Sequence, residues 1–160
     1  MIQANLSNIL KKRPDAYATI RGSEEYENII GNTNFYKTPY GLMVVTYVFG
    51  LPVSNDECNN KFFAFHIHEG EECTGNEADP FLNTGAHYNP KNCPHPYHSG
   101  DMPPLFSTNG YAFSAYLTNS FSIDEIIGKT VVIHQSPDDF STQPSGNAGL
   151  KIACGKIIQN

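Results

Sequence analysis

Tryptophan is absent from this chain, and charge is scarce: Asp, Glu, Lys and Arg make up 16% of its 160 residues. Basic residues number 10 against 16 acidic ones, a formal net charge of −6. Nucleic acid and an anionic membrane surface both call for a basic face, so neither is expected as a partner. No run of about 18 apolar residues occurs, which excludes a membrane-spanning helix. Residues 1–14 carry Lys11-Lys12-Arg13 with no apolar stretch behind it, so no secretory leader is read there. That stretch is expected to be a loose tail and residues 15–160 a single domain with one core. Cysteine occurs four times, at Cys58, Cys73, Cys93 and Cys154, but never as Cys-x-x-Cys, which argues against a zinc ribbon. Free thiols, disulfides and metal ligands all stay open for them.

Helical periodicity is missing too. No stretch repeats its apolar residues every three or four positions over several turns. What is present is a series of short β-branched and aromatic runs between turn residues. Strands are predicted at 17–21, 29–36, 42–49, 62–69, 111–117, 129–134 and 151–158, with a single helical turn at 123–127 after Ser122. About eight such strands predict an all-β sandwich or barrel. Two polar loops interrupt the pattern, at about 70–109 and 136–149. The first is too long to be structureless in a compact domain, so ligands or a disulfide are expected to order it.

The run Phe65-His66-Ile67-His68 organises the rest. In a strand His66 and His68 face the same way and Ile67 the other. Two imidazoles about 7 Å apart along a strand are close enough to share one metal ion. The remaining histidines follow in an order that suits metal chemistry: His87, His95 and His98 in the first loop, His134 at the end of a later strand. His87, His95, His98 and Asp101 make a plausible tetrahedral zinc site with no open position. His66, His68 and His134, on rigid strands, offer nitrogens that suit Cu(II). His87 is the candidate for a ring serving both metals.

At this point the residues carry a family resemblance. Phe65-His66-Ile67-His68-Glu69-Gly70, Gly85-Ala86-His87-Tyr88-Asn89-Pro90, His98-Ser99-Gly100-Asp101 with Met102-Pro103-Pro104-Leu105, Gly128 through His134, Asp138-Asp139, and Gly146-Asn147-Ala148-Gly149 leading to Ala153-Cys154-Gly155 resemble Cu,Zn superoxide dismutase, from about Ala16 to Ile158. The form of the His98–Leu105 block is closer to the bacterial branch. The resemblance implies an eight-stranded Greek-key, immunoglobulin-like β-barrel with two long functional loops. It implies copper ligands His66, His68, His87 and His134 and zinc ligands His87, His95, His98 and Asp101. Asp138 is implied as a carboxylate bonding one ligand histidine of each metal, and Cys73–Cys154 as a disulfide tying the first loop to the last strand. The implied reaction turns superoxide into dioxygen and hydrogen peroxide, with His87 and Lys151 the residues that act on the substrate.

Three features depart from the family pattern. The loop between His95 and His98 is short, and the 136–149 loop is short and has no lysine. Lys151 stands where the family usually has arginine, which keeps the charge but loses the fork of donors that fixes an anion's orientation. With a net charge of −6, a local positive channel is needed to draw in an anion, and Lys151 is its expected source. Rival readings are a metal-storage or delivery protein on the same fold and a cupin-like metal enzyme, which also begins with His-x-His; the glycine expected beyond Glu72 in a cupin is absent, Asp79 standing there. A homodimer is compatible with the family. The lack of a leader defaults to cytoplasm, whereas a disulfide fits an oxidising, extracytoplasmic or cell-surface place. Cys58 and Cys93 have no implied role and are left free or paired with each other.

Overall fold

The computed structural model describes residues 9, 11–54 and 60–160. Among these, nine strands form one antiparallel sheet: β1 (Ala16–Gly22), β2 (Ile30–Thr38), β3 (Gly41–Phe49), β4 (Asn60–Phe63), β5 (Phe65–His68), β6 (Leu105–Thr108), β7 (Tyr111–Thr118), β8 (Thr130–His134) and β9 (Lys151–Gln159). A single-turn α-helix, α1 (Ile123–Ile126), is opened by a capping box in which Ser122 and Glu125 satisfy each other's end groups.

The spatial order is β4-β6-β7-β3-β2-β1-β9-β8-β5. The two outermost strands, β4 and β5, are consecutive in the chain and separated only by Ala64. The histidine run is therefore not one strand but two. Phe63 pairs with Leu105 of β6, while Phe65 pairs with Ile133 of β8. At Ala64 the chain passes from one edge of the sheet to the other, its amide bonding Ser136 O and its carbonyl taking His134 N, each at 2.9 Å. That passage almost closes the barrel and makes the count nine rather than eight.

Strand alternation decides which side chains enter the core. Phe63, Phe65 and Ile67 point in with Phe35, Val44, Val48, Leu105, Val131 and Ile133, all 1% exposed or less. His66 and His68 consequently point out of the barrel, yet they too are buried. The first long loop lies over them. It is ordered by backbone as well as by side chains: Glu69 N bonds Ala86 O, Tyr88 N bonds Ile67 O and Ile67 N bonds Gly100 O, at 2.8–2.9 Å. Gly100 is needed for that approach, because a Cβ there would lie 2.4 Å from Ile67 O. A disulfide, Cys73–Cys154, fastens the start of the loop to β9, and Phe81 packs beside it on Val132. Cys93 carries a free thiol; Cys58, like most of the expected 1–14 tail, lies outside the described residues.

Candidate metal centre

Two side-chain groups converge under the first loop. One is His66, His68, His87 and His134; the other is His87, His95, His98 and Asp101. In each, one donor atom per residue lies within 4.8 Å of all the others. The rings of His66 and His134 are 5.0 Å apart, those of His68 and His134 5.3 Å, and those of His66 and His87 3.9 Å. In the second group the rings of His87 and His98 stand 5.4 Å apart and those of His95 and His98 5.5 Å. All seven residues predicted from the sequence are therefore brought together, and His87 belongs to both sets.

Hydrogen bonds at the back of each ring decide which nitrogen is left bare. His68 Nδ1–H donates to Gly85 O at 2.9 Å, and His134 Nδ1–H to Gly149 O at 3.4 Å. Both Nε2 atoms are then lone pairs, and they face each other at 3.2 Å. Two acceptors at that separation repel unless a cation or a proton joins them. His66 Nε2–H donates to Asp138 Oδ2 at 2.8 Å, so its Nδ1 is bare, buried and unpartnered. His95 Nε2–H donates to Asp138 Oδ1 at 2.8 Å, again leaving a bare, buried Nδ1, here 3.1 Å from Asp101 Oδ2. His87 holds Nδ1 2.8 Å from Asp101 Oδ1 and 3.4 Å from His98 Nδ1, while its Nε2 is buried without a partner.

Burial and charge set the protonation of His68, His134, Asp138 and Asp101. Burial is the main force lowering the His134 pKa to about 3, helped by the neighbouring His66, and it takes His68 well below its ordinary value. Burial alone would raise Asp138, but the His66 and His95 bonds and the Phe140 amide outweigh it and hold the carboxylate ionised far below the usual range. At Asp101 burial also pushes up, and the His87 bond with the surrounding imidazoles brings it down. Four imidazole nitrogens fit copper; three nitrogens and one carboxylate oxygen fit tetrahedral zinc.

One pocket reaches three residues of the first group and two of the second, His87 being shared. A pocket of about 430 Å³ has His68, His87, His134 and His98 on its wall, but not His66, His95 or Asp101. Lys151 reaches this wall through a bulge: Ile133 pairs with Ala153, yet His134 pairs with Lys151. Without that extra residue, Ile152, a core side chain, would stand opposite His134. Lys151 is not a free cation, however. Its ammonium donates to Asp79 Oδ2 at 2.9 Å and Phe81 O at 3.1 Å. The expected positive channel is thus a single lysine already facing a carboxylate.

Sequence reasoning missed three residues that build this centre. Gln143 clamps His95 in both directions, accepting from its amide at 2.9 Å and donating to its carbonyl at 2.7 Å. Gly146, at φ +68°, passes so close to Asp138 that a Cβ would lie 2.0 Å from Oδ1. Asp79 is the third. The first two lie in the loop that follows Asp138; Gly146 stood in one of the stretches carrying the resemblance, without a role, and Gln143 had only its proximity to Asp138.

Comparison with known proteins agrees with this geometry. The family model described as copper/zinc superoxide dismutase matches residues 30–157. A protein named superoxide dismutase [Cu-Zn] 2 from Aquifex aeolicus is 31% identical, with 98% of this chain and 92% of that protein covered. One named superoxide dismutase [Cu-Zn] from Legionella pneumophila is 32% identical over 80% of this chain and 77% of its own. Extracellular superoxide dismutase [Cu-Zn] of Mus musculus is 32% identical over 66% of this chain and 43% of its own.

Proposed function

The chain belongs to the copper/zinc superoxide dismutase family, and we propose a division of labour among its own residues. The reaction is the disproportionation of superoxide: two superoxide anions and two protons give dioxygen and hydrogen peroxide. His66, His68, His87 and His134 would hold copper, and His87, His95, His98 and Asp101 would hold zinc. The observation that carries this is the set of bare, buried nitrogens, above all the His68 and His134 Nε2 lone pairs facing each other at 3.2 Å. Bound in the first group, copper supplies a one-electron couple lying between the two superoxide half-reactions, which zinc lacks.

The protein's part is orientation and proton handling. Asp138 fixes the tautomer of His66 and His95 at once. His87 keeps Nδ1 toward Asp101, leaving Nε2 as the atom at which a proton is held and passed to the reduced substrate. Lys151 supplies the positive charge an anion meets on the pocket wall.

Metal content of variants tests the assignment. His134→Ala is expected to lose copper and keep zinc, and His98→Ala to lose zinc and keep copper. Loss of the opposite metal would overturn the division, and one copper and one zinc with no superoxide consumption would leave a metal-binding protein only.

Place and assembly belong to the same proposal. A disulfide fits an oxidising, extracellular or periplasmic site, in line with the extracellular relative. A homodimer would cover the aromatic outer face, where the rings of Phe62 and Phe106 lie 5.1 Å apart and those of Phe49 and Tyr111 4.9 Å, all four remaining 42% or more exposed. Sedimentation as a monomer at micromolar concentration would remove the dimer from the proposal.

A further inference from the structure

Among the described residues, Lys151 and Glu69 are the only Lys, Arg, Asp or Glu side chains on the wall of the metal pocket, and their formal charges cancel. Lys151 lies deep, with 15% of its side chain exposed, and Asp79 stands against it. The Asp79 carboxylate is not free to swing. Oδ1 accepts the Phe81 amide at 3.0 Å, Asp79 N donates to Asn76 Oδ1 at 2.9 Å, and Oδ2 takes the Lys151 ammonium at 2.9 Å. Phe81, whose carbonyl takes a second ammonium proton, is packed against the Cys73–Cys154 disulfide and Val132. Two of the three ammonium protons are therefore bound to a rigid stretch of loop, and one remains for the pocket. A lysine has no fork of its own with which to hold a direction; here the loop supplies one.

We propose that Asp79 is a positioning residue for Lys151, fixing where the ammonium stands and setting how much of its charge an anion in the pocket meets. The two effects oppose each other. The carboxylate holds the cation against the wall, and its negative charge subtracts from the field an incoming anion feels. Asp79→Asn separates them, because an amide oxygen still accepts the ammonium proton while the charge is gone. Asp79→Ala removes acceptor and charge together.

This inference rests on the reading of Lys151 as the pocket's anion-attracting group, and the test is arranged to tell the two apart. Azide is titrated into the copper- and zinc-loaded protein, binding is read from the visible spectrum, and the series is repeated from low to high ionic strength. Asp79→Asn is expected to tighten azide roughly two- to fivefold at low salt and to steepen the salt dependence, the gain fading by about 0.5 M salt. Asp79→Ala is expected to bind azide less tightly than Asp79→Asn. Unchanged affinity and slope in Asp79→Asn would overturn the charge-setting role, and equal behaviour of the Asn and Ala variants would overturn the positioning role. Lys151→Gln is the control: if it leaves azide affinity and its salt dependence untouched, the reading of Lys151 itself is wrong.

Discussion

His66 and His95 are tied together through one carboxylate, Asp138 accepting the Nε2–H of each at 2.8 Å with a different oxygen. The two rings belong to different candidate metal groups, so the orientation of one is mechanically linked to the other. An amide offers one acceptor oxygen and one donor nitrogen. In Asp138→Asn, therefore, either His66 or His95 must turn or change tautomer, and its bare Nδ1 is lost. Affinity for at least one metal is expected to fall roughly 10- to 100-fold. Competition with a chelator of known strength measures it; retention of both metals at wild-type affinity would show that the bridge does not orient the rings.

Gly146 should be as sensitive as a ligand, although it binds nothing. A Cβ at this position would lie 2.0 Å from Asp138 Oδ1 and 2.7 Å from His95 Nε2, and its φ of +68° disfavours other residues. Gly146→Ala is expected to push Asp138 off both histidines while the disulfide and barrel persist. The expected result is a folded protein by circular dichroism with weakened copper and zinc binding. Normal metal content would mean that the 136–149 loop shifts at little cost.

Gln143 offers a change centred on one metal. Its two hydrogen bonds to the His95 backbone join the second loop to the first across 48 residues of sequence. Each is worth about 1 kcal/mol. Gln143→Ala is expected to speed zinc release about tenfold and copper release much less, because His95 belongs to the second group and reaches His66 of the first only through Asp138. Stopped-flow with a zinc-specific dye would read it, and equal rates in variant and parent would exclude the clamp.

The disulfide makes a prediction about stability. Cys73 and Cys154 are 81 residues apart, and closing a loop of that length stabilises the folded state by about 4 kcal/mol on the chain-entropy model. The bridge also anchors the stretch holding Asp79 and Phe81 against Lys151. Replacing both cysteines by serine is expected to lower the thermal midpoint by ten degrees or more and to weaken azide binding, because Asp79 then keeps its charge but loses its fixed place against Lys151. A lowered midpoint with unchanged azide binding would mean the Asp79 stretch holds its place without the bridge.

Much of this architecture was legible in the sequence because strands advertise themselves locally. Alternation in Phe63-Ala64-Phe65-His66-Ile67-His68 already puts Phe65 and Ile67 on one face and the two histidines on the other, and burial agrees. The change of partner at Ala64 left no such trace, since pairing with β6 or β8 depends on which distant strand lies alongside. Strand β6 was overlooked because Leu105–Thr108 is four residues long and sits between Pro103-Pro104 and Asn109-Gly110. The metal-binding residues were legible because chemistry restricts them to histidine and aspartate. The roles of Asp79, Gln143 and Gly146 escaped notice for the opposite reason: each acts by a contact 48 or 72 residues away in sequence or by the lack of a side chain, and neither has a periodicity.

The last prediction concerns acid. In the metal-free protein burial holds His134 down to about 3 and His68 well below its ordinary value, whereas a histidine in the unfolded chain titrates near 6.5. Between those values the unfolded chain binds protons that the folded one refuses. Stability must therefore rise with pH through this window, and fall as pH drops from about 6.5 toward 3. Asp138 acts in the same direction lower down: its folded pKa is depressed, so it stabilises above the ordinary aspartate value and loses that contribution as pH falls below it. The thermal midpoint of metal-free protein should hence be flat above pH 7 and decline steadily between pH 6.5 and 4, with proton uptake on unfolding seen by calorimetry in two buffers of different ionisation enthalpy. His134→Gln, which cannot titrate, should have a shallower slope in that window. A midpoint independent of pH from 7 to 4 would mean that these imidazoles are hydrated when no metal is bound, and the lone pairs argued to await a cation would then already be satisfied by water.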